Sequence, residues 1–537
     1  MATEVDQSAP PAPKQPPPEK PSDTTRRTRV VLSFWLIVVL LGLPIWWRTT
    51  SIHRASLPLD AMLRWADGKA CRPVFPLQIS IQADALNDSE AQHLVRLTQH
   101  ALDDLNDFSG HHLRLQLAPK RGGNGVQAYD AEAALTIQLV PGETTSAALE
   151  PHSPVLDITY PPNAVPSTNS ASSTLATYIA NELRSTFAEE QTIISYLLST
   201  ATASASLPSA SPSTSRSPGL TPEVAETLSK RTTRSLRYAP AYHLTFSLFT
   251  PRAVPSTWDV EAAVREYVQP VLDVLRPIHN FTIDTQVQLY ATPGAQSQLL
   301  SKDDLASFIN AAEWPLSPSI GGSPTVNFLT YVGNQTIGLE DSPADTSQSW
   351  MIPQWGTVYL LPLPETTTHV TSEMLKQPML TFAGHLLSLL GTPHSGSLPL
   401  RLSTLSRIRS ADLLLRASST LGSLARLSLA LPSIAIPHSV AEGVSTTMHH
   451  LEQACASLGQ PEGLTHARIA EAEAEKAFFE KSMVGQLYFP DEHKVAVYLP
   501  LLGPVGVPLV IGLVNELRSW MKRRRQRAAD ASEKKGQ

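Results

Sequence analysis

The chain has 537 residues, enough for two or more ordinary globular cores, and its 42% hydrophobic content excludes a wholly disordered polymer despite 45 prolines. A formal net charge of −6 provides no basic footprint for nucleic acid. The two cysteines, Cys71 and Cys455, exclude a disulfide framework and a four-cysteine metal site; pairing in an oxidising compartment and burial as free thiols both stay open.

Residues 1–29 carry a proline cluster from Pro10 to Pro21 without apolar periodicity and read as a disordered tail. Val30–Trp47 follows, eighteen residues without a charge, which at ~1.5 Å per residue reach ~27 Å and span a bilayer. A cleaved signal peptide has a ~7–15-residue apolar core and a small-residue cleavage site. This segment instead ends on Trp46, Trp47 and Arg48, which read as interfacial anchors of an uncleaved signal anchor.

Residues 48–199 read as an α/β lobe. Strand patterns cover 74–83, 112–119, 133–140 and 155–160, and helical periodicity covers 89–105 and 174–198. A Ser/Thr/Pro-rich linker over 200–218 separates it from a second α/β lobe, 219–398. There the pattern predicts strands at Tyr242–Thr250, Phe281–Thr292, Thr325–Val332 and Trp355–Leu363. Helices are expected near 258–276 and over Asp303–Ala312, the latter led by Ser301 as a cap with Asp303 and Asp304 in its first turn. Glu373–Lys481 is helical in pattern almost throughout, broken near Pro432, Pro437 and Pro461, so 399–494 reads as a helical region that braces the domain against the membrane.

Val495–Val514 is a second uncharged span. Pro500, Pro504 and Pro508 recur every four residues and share one helix face, with Gly503, Gly506 and Gly512 nearby. Carbonyls freed by proline need partner helices or water, so the span reads either as buried among partner helices or as a kinked anchor standing alone.

Orientation follows from the flanks. The tail 515–537 has eight basic against three acidic residues and belongs in the cytosol; residues 1–29 have five against four. Two spans place both termini in the cytosol and residues 48–494 in the lumen, where the rest of the chain carries −12, a charge that argues against nucleic acid and anionic headgroups as partners. The expected fold is thus a mixed α/β lumenal domain, two lobes plus a helical region, between two transmembrane helices. Three sequons, at Asn87, Asn280 and Asn334, all fall in the lumenal part. Lys534-Lys535 near the end resembles a dilysine retrieval signal of the endoplasmic reticulum.

Chemistry is sparse. There is no HExxH, no G-x-S-x-G and no phosphate loop, and Gly122-Gly123-Asn124-Gly125 reads as a turn. His111-His112 and His449-His450 lack a third ligand at helical spacing, so they read as surface or core histidines. His394-Ser395 are sequence neighbours, which rarely point at one another, and Cys455 in LEQACASL reads as a packed thiol rather than a nucleophile. No catalytic, cofactor or metal residue is assigned.

A resemblance goes further than these patterns. LGLPIWWRTTSIHRASLP (Leu41–Pro58), YHLTFSLF (Tyr242–Phe249), HNFTIDTQV (His279–Val287), PQWGTVYL (Pro353–Leu360), FAGHLLSLLG (Phe382–Gly391) and YLPLLGPVGVPL (Tyr498–Leu509) occur in order and resemble the PIG-S family, a subunit of the glycosylphosphatidylinositol (GPI) transamidase complex. The proline-rich head and the 200–218 linker depart from the pattern. The resemblance implies a non-catalytic subunit of the endoplasmic reticulum membrane, without cofactor, partnered by membrane lipid and by other transamidase subunits, including a caspase-like one that carries the catalytic Cys and His. The rival readings are a lumenal adaptor or receptor and a lumenal hydrolase.

Overall fold

A computed structural model describes residues 20–42, 44–45, 48, 54–119, 133–205, 221–309, 314, 322–339, 342–432, 434–485 and 491–533. Two compact units emerge from the contacts. One comprises residues 1–56, 428–441 and 479–537; the other comprises 57–427 and 442–478.

In the first unit, helix α1 (Pro21–Ile37) passes into a π turn, Val38–Gly42. The helix thus starts nine residues before the span read from hydropathy, and 21–29 are helical rather than disordered. Pro21 sits at the first helical position, where its missing N–H costs nothing, and Asp23 lies in the first turn.

The larger unit opens with α2 (Leu59–Ala66) and a sheet of β1 (Phe75–Gln82), β2 (His111–Leu117), β3 (Leu135–Pro141), β4 (Ser146–Leu149) and β5 (Val155–Tyr160). Its order is β2-β1-β3-β5-β4, parallel except for β4. Helices α3 (Asp88–Leu105) and α4 (Thr174–Ala205) pack against each other and on the apolar side of this sheet, which carries Leu77, Ile79, Ile137 and Ile158. The other side carries Gln78, Ser80 and Thr136. α4 continues through Ala205, six residues into the stretch read as linker; 206–220 lie outside the described residues.

After α5 (Pro222–Arg234), a helix the periodicity did not reveal, comes a second sheet. It contains β6 (Ala241–Phe249), β8 (Asn280–Gln288), β10 (Thr325–Val332), β13 (Ser349–Ile352) and β14 (Gly356–Leu361), with β7 (Thr257–Trp258), β9 (Leu299–Leu300), β11 (Thr336–Leu339) and β12 (Ser342–Ser347) as short strands outside it. The expected helix near 258–276 is α6 (Val260–Ala263), a π turn (Val264–Val268) and α7 (Gln269–Leu275). α8 (Lys302–Phe308) ends before the expected Ala312, and its cap is as read: Ser301 Oγ accepts from Asp304 N at 3.4 Å while Ser301 N donates to Asp304 Oδ2 at 2.9 Å.

The second sheet runs β8-β6-β10-β14-β13, again parallel except for its last strand. First strand central, second beside it, third on the other flank, fourth beyond, and an antiparallel edge strand that precedes the fourth in sequence: both sheets share one topology. In each, a helix follows the first strand and another, α4 or α9 (Lys376–Leu389), follows the fourth. Here β6, β10 and β14 are buried on both faces, as expected of a covered parallel sheet. Gly356 opens β14 at φ 147, where a Cβ would strike the Asn327 carbonyl.

Helices α10 (Leu398–Ala430), α11 (His438–Ala456) and α12 (Pro461–Phe478) follow, broken at the expected prolines, and then the short α13 (Lys481–Gly485). Leu400 joins the core of the first sheet, and all of 57–427 and 442–478 is one unit. A Cβ on Gly422 would collide with the Ala66 methyl, so α2 and α10 approach as closely as only glycine permits.

Glu189 and Glu190, adjacent on α4, tie this unit together. Glu190, 2% exposed, accepts from Arg407 Nε and Nη2, both at 2.6 Å, and from Thr404 Oγ1 at 2.7 Å; His111 Nε2 lies 3.5 Å away. Burial pushes its carboxyl up, but Arg407 and then His111 outweigh that, and the net shift is downward. Glu189 accepts from Arg231, from the backbone N–H of His394 and Ser395, and from Ser395 Oγ at 2.8 Å. Burial again acts upward, and these bonds bring Glu189 down to about 2.

Arg407→Ala leaves a buried carboxylate unpaired and is expected to cost about 3–5 kcal/mol, read as a lowered thermal midpoint of the full chain in detergent. Because Glu189 has a folded value of about 2 against 4.5, its contribution is complete above pH 4.5 and lost as pH falls towards 2. The thermal midpoint of the parent should therefore fall across that window more steeply than that of Glu189→Gln.

Candidate functional site

The two apolar segments carry the strongest sequence signal. α14 (Asp491–Glu533) contains all three prolines without interruption, and within it Ala496–Gln526 is, among the described residues, the one helix long and apolar enough to cross a membrane. The span and the basic tail after it, read as separate pieces, are one helix through Glu533. Val30–Trp47 is divided by the π turn, and Leu43, Trp46 and Trp47 lie outside the described residues.

α1 packs along α14. Arg27 Nε donates to Glu516 Oε1 at 2.7 Å, Thr28 Oγ1 donates to Glu516 Oε2 at 2.9 Å, and Arg523 reaches the same carboxylate at 3.5 Å. Further along, Trp35 Nε1 donates to the Leu509 carbonyl at 3.3 Å, and Val31 faces Gly512. Residues 27, 31 and 35 thus meet 516, 512 and 509 in descending order, so the two helices are antiparallel. Gly503, Gly506 and Gly512 are half-buried, whereas Pro500, Pro504 and Pro508 are exposed. Of the glycines only Gly512 lies against α1, where a Cβ would meet Val31; one on Gly503 or Gly506 would meet nothing within 4 Å, and each proline frees a carbonyl four residues earlier. In the same unit Arg54 donates to the carbonyls of Ser428 at 2.7 Å, Leu431 at 3.1 Å and Pro432 at 2.7 Å, closing the C-terminal end of α10.

The sequons are all on the surface. Asn87 is exposed at the N-cap of α3, its N–H donating to Glu90 Oε2 at 3.4 Å. Asn280 is the exposed first residue of β8, an edge strand, held by the preceding His279, which is buried and bonds the Ala239 carbonyl at 2.8 Å. Asn334 is exposed between β10 and β11. Lys534 and Lys535 lie outside the described residues, as does Gly122–Gly125.

The motifs weighed for chemistry serve packing. His394 and Ser395 hold Glu189 through their backbone N–H groups, and the Ser395 hydroxyl donates to Glu189. His111 sits by Glu190, while His112 is half-buried on β2. His450 bonds His466 at 2.9 Å, a partner from α12 that helical spacing could not reveal; with His449 it makes no set of three metal-ligating groups among the described residues. Cys71 and Cys455 form a disulfide, Cα–Cα 6.3 Å, which settles their pairing and replaces the packed-thiol reading of Cys455.

Similarity to known proteins bears on this arrangement. A family model described as "Phosphatidylinositol-glycan biosynthesis class S protein" matches residues 33–523, from the first apolar segment through the basic end of α14. This chain belongs to the PIG-S family. It is 27% identical over 560 residues to the human GPI-anchor transamidase component PIGS, covering 93% of this chain and 97% of that one. The fission yeast GPI transamidase component PIG-S homolog is 26% identical, covering 94% and 86%. The budding yeast GPI transamidase component GPI17 is 24% identical, covering 93% of each.

Cysteines placed at Val31 and Gly512 are expected to cross-link on mild oxidation of membranes, read as a mobility change reversed by reductant. Glu516→Ala should lower the yield of that cross-link several-fold by removing the carboxylate shared by Arg27, Thr28 and Arg523.

Proposed function

We propose that this chain is a component of the GPI transamidase, which attaches preformed GPI anchors to proteins bearing a C-terminal GPI signal in the endoplasmic reticulum. The observation that carries this reading is the family match across 33–523, together with relatives named as transamidase components and aligned over nearly their whole length.

Its role is structural rather than catalytic. Both cysteines of the chain are held in one disulfide, which leaves no thiolate nucleophile, and the Ser395 hydroxyl is committed to Glu189. The catalytic Cys and His belong in this reading to a caspase-like partner.

The chain crosses the membrane twice, at 30–47 and 495–514, with both termini in the cytosol, residues 48–494 in the lumen as two α/β lobes and a helical region, and membrane lipid around the spans. Three observations support this. The ion pair joins Arg27, just before the first apolar run, to Glu516, just after the second, so these ends lie at one level. The basic cluster Lys522–Arg525 continues from that end. The disulfide suits an oxidising compartment. Asn280, Asn87 and Asn334 are then glycosylation sites, Lys534 and Lys535 a retrieval signal, and the exposed proline face of α14 a contact for other polytopic subunits.

Mild-detergent extraction and capture through a C-terminal tag should recover a caspase-like cysteine protease and several polytopic subunits in stoichiometric amounts; recovery of the chain alone, or with unrelated cargo, would refute the assignment. Asn280→Gln should remove one glycosidase-sensitive step in gel mobility, and an unchanged pattern would remove Asn280 from the sites.

A further inference from the structure

Two cavities adjoin in the larger unit, and neither has a role in the reading above. One, about 370 Å³, is lined mostly by apolar surface, from Trp65, Pro73, Leu414 and Leu415 beside Cys71 of the disulfide, with Asp67 and Arg426 also on its wall. The other, about 330 Å³, is lined by Arg231, Arg237, Arg409, Arg416 and Asp412. Leu197, Asp412 and Arg416 line both and form their common wall. Each volume falls in the range of small-molecule sites.

The polar chamber is under-neutralised. Its four guanidinium groups contact two carboxylates, Glu189, which pairs with Arg231, and Asp412, which Arg416 contacts at 3.0 Å and Arg409 at 3.6 Å, while a third, Glu471 of α12, acts on Arg416 through space. Arg409 is 8% exposed; its Nη2 donates to the Leu390 carbonyl at 2.8 Å, while its Nε is buried with no hydrogen-bond partner. Arg237 is exposed and enters no ion pair among the described residues. A buried guanidinium N–H left unpaired is costly, and forked donors of this kind match the oxygens of a phosphate. The lumenal part carries net negative charge, but an anion held inside the chamber responds chiefly to these nearby arginines, since more distant surface charges are screened.

We propose that the two chambers together bind one anionic amphiphile, with its alkyl chain beside the disulfide and its phosphate among Arg237, Arg409 and Arg416. The shared Leu197–Asp412–Arg416 wall is where the chain would join the head. This inference rests on the cavities alone and stands apart from the transamidase assignment.

The test uses the full chain in amphipol, titrated calorimetrically with dodecyl phosphate, inorganic phosphate and dodecanol. Dodecyl phosphate should bind at least about tenfold more tightly than either of the others. Arg237→Glu and Ser419→Trp, both at exposed positions lining the two chambers, should each weaken dodecyl phosphate by about tenfold or more while melting as the parent does. Only Arg237→Glu should affect inorganic phosphate. Equal affinity for inorganic phosphate would reduce the site to one for free phosphate, and equal affinity for dodecanol would reduce it to an apolar cavity. Either result overturns the proposal, as does no binding, or binding indifferent to both substitutions.

Discussion

Two adjacent carboxylates on one helix organise the larger unit. Glu190 turns inward and must be paired, because an unpaired charge at that depth is far more costly than the pair itself. Its partners come from elsewhere in the chain: His111 from β2, Thr404 and Arg407 from α10. Glu189 faces the other way and gathers α5 through Arg231 and the loop before α10 through His394 and Ser395. The register of α10 against α4 is therefore set by hydrogen bonds of fixed geometry and not by apolar packing alone. Both cavities are lined from these helices, so their shape depends on the same constraint.

The two sheets repeat one topology but differ in how they are used. Each has a central first strand, parallel neighbours and an antiparallel edge. The second is buried on both faces in its three central strands, with Phe249, Leu329 and Val358 in a core that also holds Phe308 and Trp314. The first has a polar second side carrying Gln78, Ser80 and Thr136. Ser80 and Thr136 are nonetheless buried, each 4% exposed, so that side too is covered at its centre, as parallel sheets ordinarily are.

In the smaller unit, the helix pair is joined by a shared charge. Gly512 on α14 faces Val31 of α1, and Glu516 bridges Arg27, Thr28 and Arg523 at one end. The exposed prolines leave the carbonyls of Ala496, Pro500 and Pro504 without their usual helical donors. In hydrocarbon such groups need a donor from elsewhere, which makes this face suited to further helices.

Local chemistry was legible before any tertiary information. Val495–Val514, the apolar runs that became β6, β10 and β14, the cap at Ser301 and the breaks at Pro437 and Pro461 are all short-range signals, since hydropathy period and backbone restriction act within a turn or two. The ends of helices were less legible: α1 and α4 run on into polar stretches because nothing in those residues forbids a helix, only composition argued against it. The short strands β4, β9 and β11 carry too few residues for a period. What only the tertiary structure decided was long-range. The Cys71–Cys455 bridge spans 384 positions, Glu190 finds Arg407 217 positions away, and His466 reaches His450 from another helix. Such pairs depend on where distant elements pack, and no local pattern encodes that distance. The family and the apolar C-terminal helix could be read from the sequence by itself; the keystone carboxylates, the repeated topology and the paired chambers came only from the folded chain.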